Sequence, residues 1–107
     1  MDYENYAKVA KALSDAKRVK IMDMLSCGSM CACDILEHFD FTQPTLSHHI
    51  NLLLKADLII VEKTGTWHHY SLNQEKFAQF MQDTVALTAS KADCICSLEK
   101  PKTGCGV

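Results

Sequence analysis

The chain has 107 residues, 11 basic and 13 acidic side chains, a formal charge of −2 and 48% apolar residues. That length holds one domain with a modest core, and such cores commonly lean on a second copy, a metal or disulfides. The composition excludes a collagenous or broadly disordered chain, and no apolar run approaches the roughly 20 residues a membrane helix needs.

Tyr6, Val9, Ala10 and Leu13 recur at helical spacing and predict a first helix over about residues 3–13. Ser14-Asp15 reads as a stop followed by a new N-cap. The second helix carries Val19, Ile21, Met22, Met24 and Leu25 and ends at Cys27-Gly28-Ser29, where Gly28 suits the turn beyond the last carbonyl groups. A short third helix follows from about Cys33 to Phe39. Thr42 caps a fourth, with Pro44 tolerated in its first turn. Leu46, Ile50, Leu53 and Leu54 lie at i, i+4, i+7 and i+8, one apolar face. Leu58-Ile59-Ile60-Val61, the turn Thr64-Gly65-Thr66 and the return run Trp67-His68-His69-Tyr70-Ser71-Leu72 predict a β-hairpin. A fifth helix runs from about Gln74 to Ala92, with Phe77, Phe80, Met81, Thr84, Val85, Leu87 and Thr88 on its apolar side. The predicted fold class is therefore mainly α (α+β), with a folded domain over residues 1–92 and an irregular cysteine-containing tail over 93–107.

The first twenty residues carry Asp2, Glu4 and spaced lysines without an apolar stretch, which predicts no secretory signal and a cytoplasmic location. In that compartment the six cysteines, Cys27, Cys31, Cys33, Cys94, Cys96 and Cys105, are expected as thiols. Their clustering suggests metal binding or redox sensing more than stapling. Charge is also clustered. Lys8, Lys11, Lys17, Arg18 and Lys20 against Asp15 give residues 8–20 a local charge of 5 − 1 = +4, while Asp23, Asp34, Glu37 and Asp40 give residues 21–40 a local charge of −4.

A short helix, a polar-faced helix and a hairpin in this order read as a winged helix-turn-helix with five helices and a β-hairpin wing. Opposite the apolar stripe of the fourth helix stand Gln43, Thr45, Ser47, His48 and Asn51, which can donate to and accept from base edges in a major groove. Every amphipathic surface helix has a polar face, and from this helix alone the two interpretations stand level. The adjoining hairpin favours DNA, because Thr66, His68 and His69 can reach a neighbouring groove, although whichever of the paired histidines points inward is an ordinary strand residue.

Three segments carry a resemblance. Ser29-Met30-Cys31-Ala32-Cys33-Asp34-Ile35-Leu36, Gln43-Pro44-Thr45-Leu46-Ser47-His48-His49 and Gly65-Thr66-Trp67-His68-His69-Tyr70-Ser71-Leu72 resemble the ArsR/SmtB family of metal-responsive bacterial repressors, over about residues 6–90. The most specific part is the Cys-x-Cys-Asp start of the third helix, the pattern of arsenite and cadmium/lead sensors. The resemblance implies a winged-helix homodimer, built through the first and fifth helices, that binds a palindromic operator. It also implies release of double-stranded DNA when arsenite or antimonite, or alternatively cadmium or lead, binds the thiolates. Gln43, Thr45, Ser47 and His48 would read bases, with Thr66 and His68 on the wing. Lys17, Arg18 and Lys20 would hold phosphates. The positions of the family's zinc or nickel site fall near Gln74, Lys76, Leu87 and Ser90, which form no competent ligand set.

The thiols have a physical rationale of their own. A helix N-terminus lowers a thiol pKa, and thiolates suit soft ions and metalloids. Residues at i and i+2 point to different sides of a regular helix, so Cys31 and Cys33 can grip one atom only if the first turn opens. A buried free cysteine is otherwise a small hydrophobe. The arsenite-type pattern often continues with a cysteine where Leu36 stands here, so a third sulfur is sought in Cys27, in Cys94 and Cys96, or in Cys105. Cys31, Cys33, Cys94 and Cys96 form the candidate metal set. A thiol redox repressor is the alternative regulator. A small thiol enzyme or metal buffer is the alternative class, disfavoured because no histidine or acid stands in an obvious activating position beside a cysteine.

Overall fold

The computed structural model describes residues 1–89. The expected helical residues 90–92 and the tail with Cys94, Cys96 and Cys105 lie outside the described residues. The order is α1 (Tyr3–Ala12), α2 (Ala16–Leu25), β1 (Met30–Cys31), α3 (Ala32–Leu36), α4 (Gln43–Lys55), β2 (Ile59–Thr64), β3 (Trp67–Leu72) and α5 (Gln74–Thr88). Five helices and the hairpin agree with the reading of the sequence.

Side chains start three of the helices. Asp2 accepts from the Asn5 amide (3.1 Å), Asp15 from that of Lys17 (2.8 Å) and Asn73 from that of Lys76 (3.3 Å), each satisfying a donor that the first turn leaves without a partner. The residues that cap α3 and α4, Cys31 and Thr42, make no such bond. At the other end of α4, the Leu58 amide donates to the Leu53 carbonyl and the Asp57 amide to that of Leu54. This six-to-one closure requires a left-handed residue, and Asp57 supplies it at φ 59°.

Two expectations need correction. The hairpin is part of a three-stranded antiparallel sheet in the order β1-β3-β2, with Met30 opposite Tyr70 and Cys31 opposite His69. A two-residue strand is too short to show alternation, so its sequence gives no signal. The third helix also begins at Ala32 and ends at Leu36; Glu37 and His38 form a turn and Phe39 lies beyond it, outside any regular element.

The core is built from Val9, Ile21, Leu25, Ile35, Leu46, Ile50, Leu53, Leu58, Ile59 and Tyr70. The α4 stripe buries Leu46, Ile50 and Leu53 as its spacing predicts, with Leu54 half-buried at the margin. His49 lies on that stripe too and is buried. Helix α5 behaves differently. Phe77 and Phe80 are half-buried against the core, while Met81, Val85 and Leu87 remain exposed. Tyr6 stacks on Phe80 at 4.8 Å between ring centroids and its hydroxyl lies 2.7 Å from Thr84 Oγ1, which fastens α1 to α5. No helix among the described residues is long and apolar enough to cross a membrane.

Candidate nucleic-acid interface and thiol site

The polar face of α4 is available. Gln43, Ser47, His48 and Asn51 are exposed along it. Thr45 sits at the edge, half-buried, with its hydroxyl 3.3 Å from that of Thr42. The hairpin reverses at Gly65, whose φ of 62° favours glycine. Thr66, Trp67 and His68 are exposed at and beside this turn. His69 is half-buried and faces the side of the sheet opposite to His68 and the buried Tyr70.

The three basic residues expected to hold phosphates divide. Lys17 and Lys20 are exposed. The Lys20 ammonium donates to the His38 carbonyl (2.8 Å) and lies 4.7 Å from the centre of the Phe39 ring, while that of Lys17 lies 5.7 Å from the centre of the Phe41 ring. Arg18 is a correction. It is buried, its Nε donates to the Ala12 carbonyl (2.6 Å), and its guanidinium also reaches His49 Nδ1 (3.0 Å) and, at 3.5 Å, the Lys11 carbonyl. Its donors are turned inward, so it does not present a charge for phosphate.

Cys31 and Cys33 straddle a junction. Cys31 ends β1 and caps α3 with extended backbone (φ −80°, ψ 160°), whereas Cys33 lies in the first turn of α3. The geometry expected for two residues of one regular helix therefore does not apply, because only Cys33 is helical. Cys31 is buried, and Cys33 and Cys27 are exposed. The helix start does not activate Cys31 as expected. The Asp34 backbone N–H, the largest single influence, pulls its thiol pKa down, but burial, the Asp34 carboxyl group and the Cys33 thiol together leave it above the ordinary value. Strand pairing also places His69 directly across from Cys31, a neighbour that sequence separation hides. Cys33 opens onto a cavity of about 290 Å³ that it shares with Ala32, Leu36, Glu37 and Gln43. The donors suit a soft ion in kind and fall short in number, since no cluster of three His, Cys, Asp or Glu side chains able to hold a metal forms among the described residues.

The Arg18–His49 pair was missed by sequence reasoning, although one signal exists. Leu46, His49, Ile50 and Leu53 follow i, i+3, i+4 and i+7, so His49 falls on the apolar stripe and needs an internal partner.

The α3–turn–α4 unit followed by the β2–β3 hairpin defines a winged helix-turn-helix, a fold that can present one helix to a DNA groove. Comparisons narrow the class. Residues 15–61 match the model of the bacterial regulatory protein, arsR family. The chain is 43% identical over 96 residues to the arsenical resistance operon repressor of Staphylococcus aureus, covering 90% of this chain and 92% of that protein. It is 40% identical over 77 residues to the cadmium resistance transcriptional regulatory protein CadC homolog of the same species, covering 71% of this chain and 64% of that one. Its fold is similar to a homodimeric winged helix-turn-helix DNA-binding domain of a possible ArsR-family regulator from Mycobacterium bovis, with a TM-score of 0.67 and 23% identity over 79% of this chain and 80% of that domain. The chain belongs to the ArsR family, whose members among these relatives are transcriptional regulators and not enzymes.

Proposed function

We propose that the protein is a cytoplasmic, homodimeric repressor that binds operator DNA and lets go when arsenite or antimonite is captured by cysteine thiolates. The observation that carries this reading is the position of Cys31, which is at once the end of a strand paired to the wing and the cap of α3. A ligand that draws Cys31 and Cys33 onto one atom pulls on both elements. Cys33 adds a second route, because its cavity is bordered by Gln43, the first residue of the recognition helix α4. Gln43, Thr45, Ser47 and His48 contact bases in this reading, Thr66 and His68 serve the wing, and Lys17 and Lys20 meet phosphates. The exposed apolar residues of α5 support a partner subunit packed along that helix.

Trivalent arsenic bound to sulfur takes three thiolates, so one must join Cys31 and Cys33. Cys94 and Cys96 are the proposed source, from the same subunit or its partner. Cadmium or lead is the second reading, favoured by the cadmium-resistance relative and by the two Cys-x-Cys elements, which together offer four sulfurs. An absorption titration of the reduced protein with arsenite and with cadmium, without oxidant, tests both. Sulfur-to-ligand absorption that saturates at one ion per site and disappears in Cys31→Ser/Cys33→Ser is the expected result. Unchanged absorption in that variant contradicts the assignment, and loss of DNA binding only on oxidation favours a redox repressor instead.

A further inference from the structure

Arg18 is a buried cation whose hydrogen-bond partners are two carbonyl oxygens at the end of α1 and one imidazole nitrogen on α4. Guanidinium nitrogens only donate, so His49 Nδ1 accepts and its proton sits on Nε2. One side chain of α2 thus joins the last carbonyls of α1 to the middle of the helix that carries the base-contacting residues. We propose that Arg18 and His49 form a clasp that positions the recognition helix, and that a proton taken up from solvent at Nδ1 of His49 opens the clasp and weakens operator binding.

The surroundings make protonation disruptive. Protonated Nδ1 would point an N–H at the N–H of Arg18, removing the bond and setting two cations together in a buried space. Lys17 and Arg18 from α2 and His48 from α4 add positive charge around the ring, and Asp15 at the start of α2 is the acid that favours the proton. Phe41 covers another side at 5.6 Å between ring centroids. Burial, the largest influence, and the neighbouring cations outweigh Asp15 and hold the imidazole pKa below its ordinary value. His49 does not touch DNA in this scheme. It is a positioning residue acting through α4, and the inference rests on the reading of α4 as the DNA-contacting helix.

The test follows operator affinity by fluorescence anisotropy from about pH 8 to about pH 5.5 in wild type and in His49→Asn, whose Oδ1 accepts near the position of Nδ1 and takes up no proton in this range. The other side chains are common to both proteins, so pH effects that do not pass through His49 cancel in the ratio of the two affinities. Wild type should lose about fivefold or more in affinity relative to the variant on acidification. Parallel pH profiles would overturn the proposal. Histidine-detected and amide NMR of the wild-type protein alone gives a second arm that needs neither DNA nor a folded variant. Amide signals of α4 should shift with the His49 titration midpoint, and α4 signals that ignore that titration overturn the clasp. Failure to bind DNA at any pH, with the α4 shifts present, counts against the repressor reading and leaves the clasp standing.

Discussion

Cys31 lies directly opposite His69 across the β1–β3 ladder, so the residue at the N-cap position of α3 is also a rung of the sheet that carries the wing. In the proposed scheme, a ligand-driven change at Cys31 would reach both α3 and the strand that carries the wing. Interfaces of this kind have two arrangements and not a continuum, because a packed core resists gradual deformation.

Burial separates the two thiols. Cys31 is 8% exposed and its pKa is raised, while Cys33 is open to solvent. In the reduced, ligand-free protein near neutral pH, iodoacetamide should modify Cys33 well before Cys31, read residue by residue by mass spectrometry. Cys31→Ser should cost about 1–3 kcal/mol in urea unfolding because it buries a hydroxyl, whereas Cys33→Ser should stay within about 0.5 kcal/mol. Equal alkylation rates would show that Cys31 is not enclosed.

Acid should destabilise the fold through His49. Burial depresses its pKa from the ordinary 6.5, so below that value the unfolded chain binds the proton more readily than the folded one. The stability linked to this group is present above about pH 6.5 and is lost as pH falls toward the folded pKa. A thermal midpoint that declines with acidification in wild type, and less in His49→Asn, is the expected outcome. Identical declines would place the acid sensitivity elsewhere.

Much of this was legible in sequence because the signals are local. The stripe of α4 and the Thr64-Gly65-Thr66 reversal each sit within one element, and both appear where expected. What stayed hidden was tertiary. Nothing near Met30-Cys31 announces a two-residue strand whose partner lies some forty positions away. Arg18 reads as a surface charge in a lysine-rich stretch until α1 and α4 close around it. The polar face of α4 is legible in its spacing, whereas the half-burial of Thr45 at its edge is not.

The apolar flank of α5 should be a subunit contact. Val85 is 65% exposed, beside exposed Met81. Val85→Glu places a charge there, which should weaken dimerisation by about tenfold or more, equivalent to about 1.4 kcal/mol. Sedimentation velocity over a range of concentrations measures it, and an unchanged association constant would remove α5 from the interface.

The α4 terminus offers a control on local energetics. Asp57 holds φ 59°, a conformation that costs an ordinary side chain more than glycine. Asp57→Gly should raise stability by about 0.5–1 kcal/mol in chemical denaturation without altering operator affinity. A loss of stability would mean that the aspartate side chain supports the turn.

Ligand capture by Cys31 and Cys33 is tested most directly by titrating arsenite into a preformed complex of the reduced protein with labelled operator DNA, at fixed salt. Wild-type affinity should fall within about the 5–150-fold range of allosteric coupling, and Cys31→Ser/Cys33→Ser should remain bound throughout. Release of that double variant at the wild-type arsenite concentration would contradict the proposed sensor.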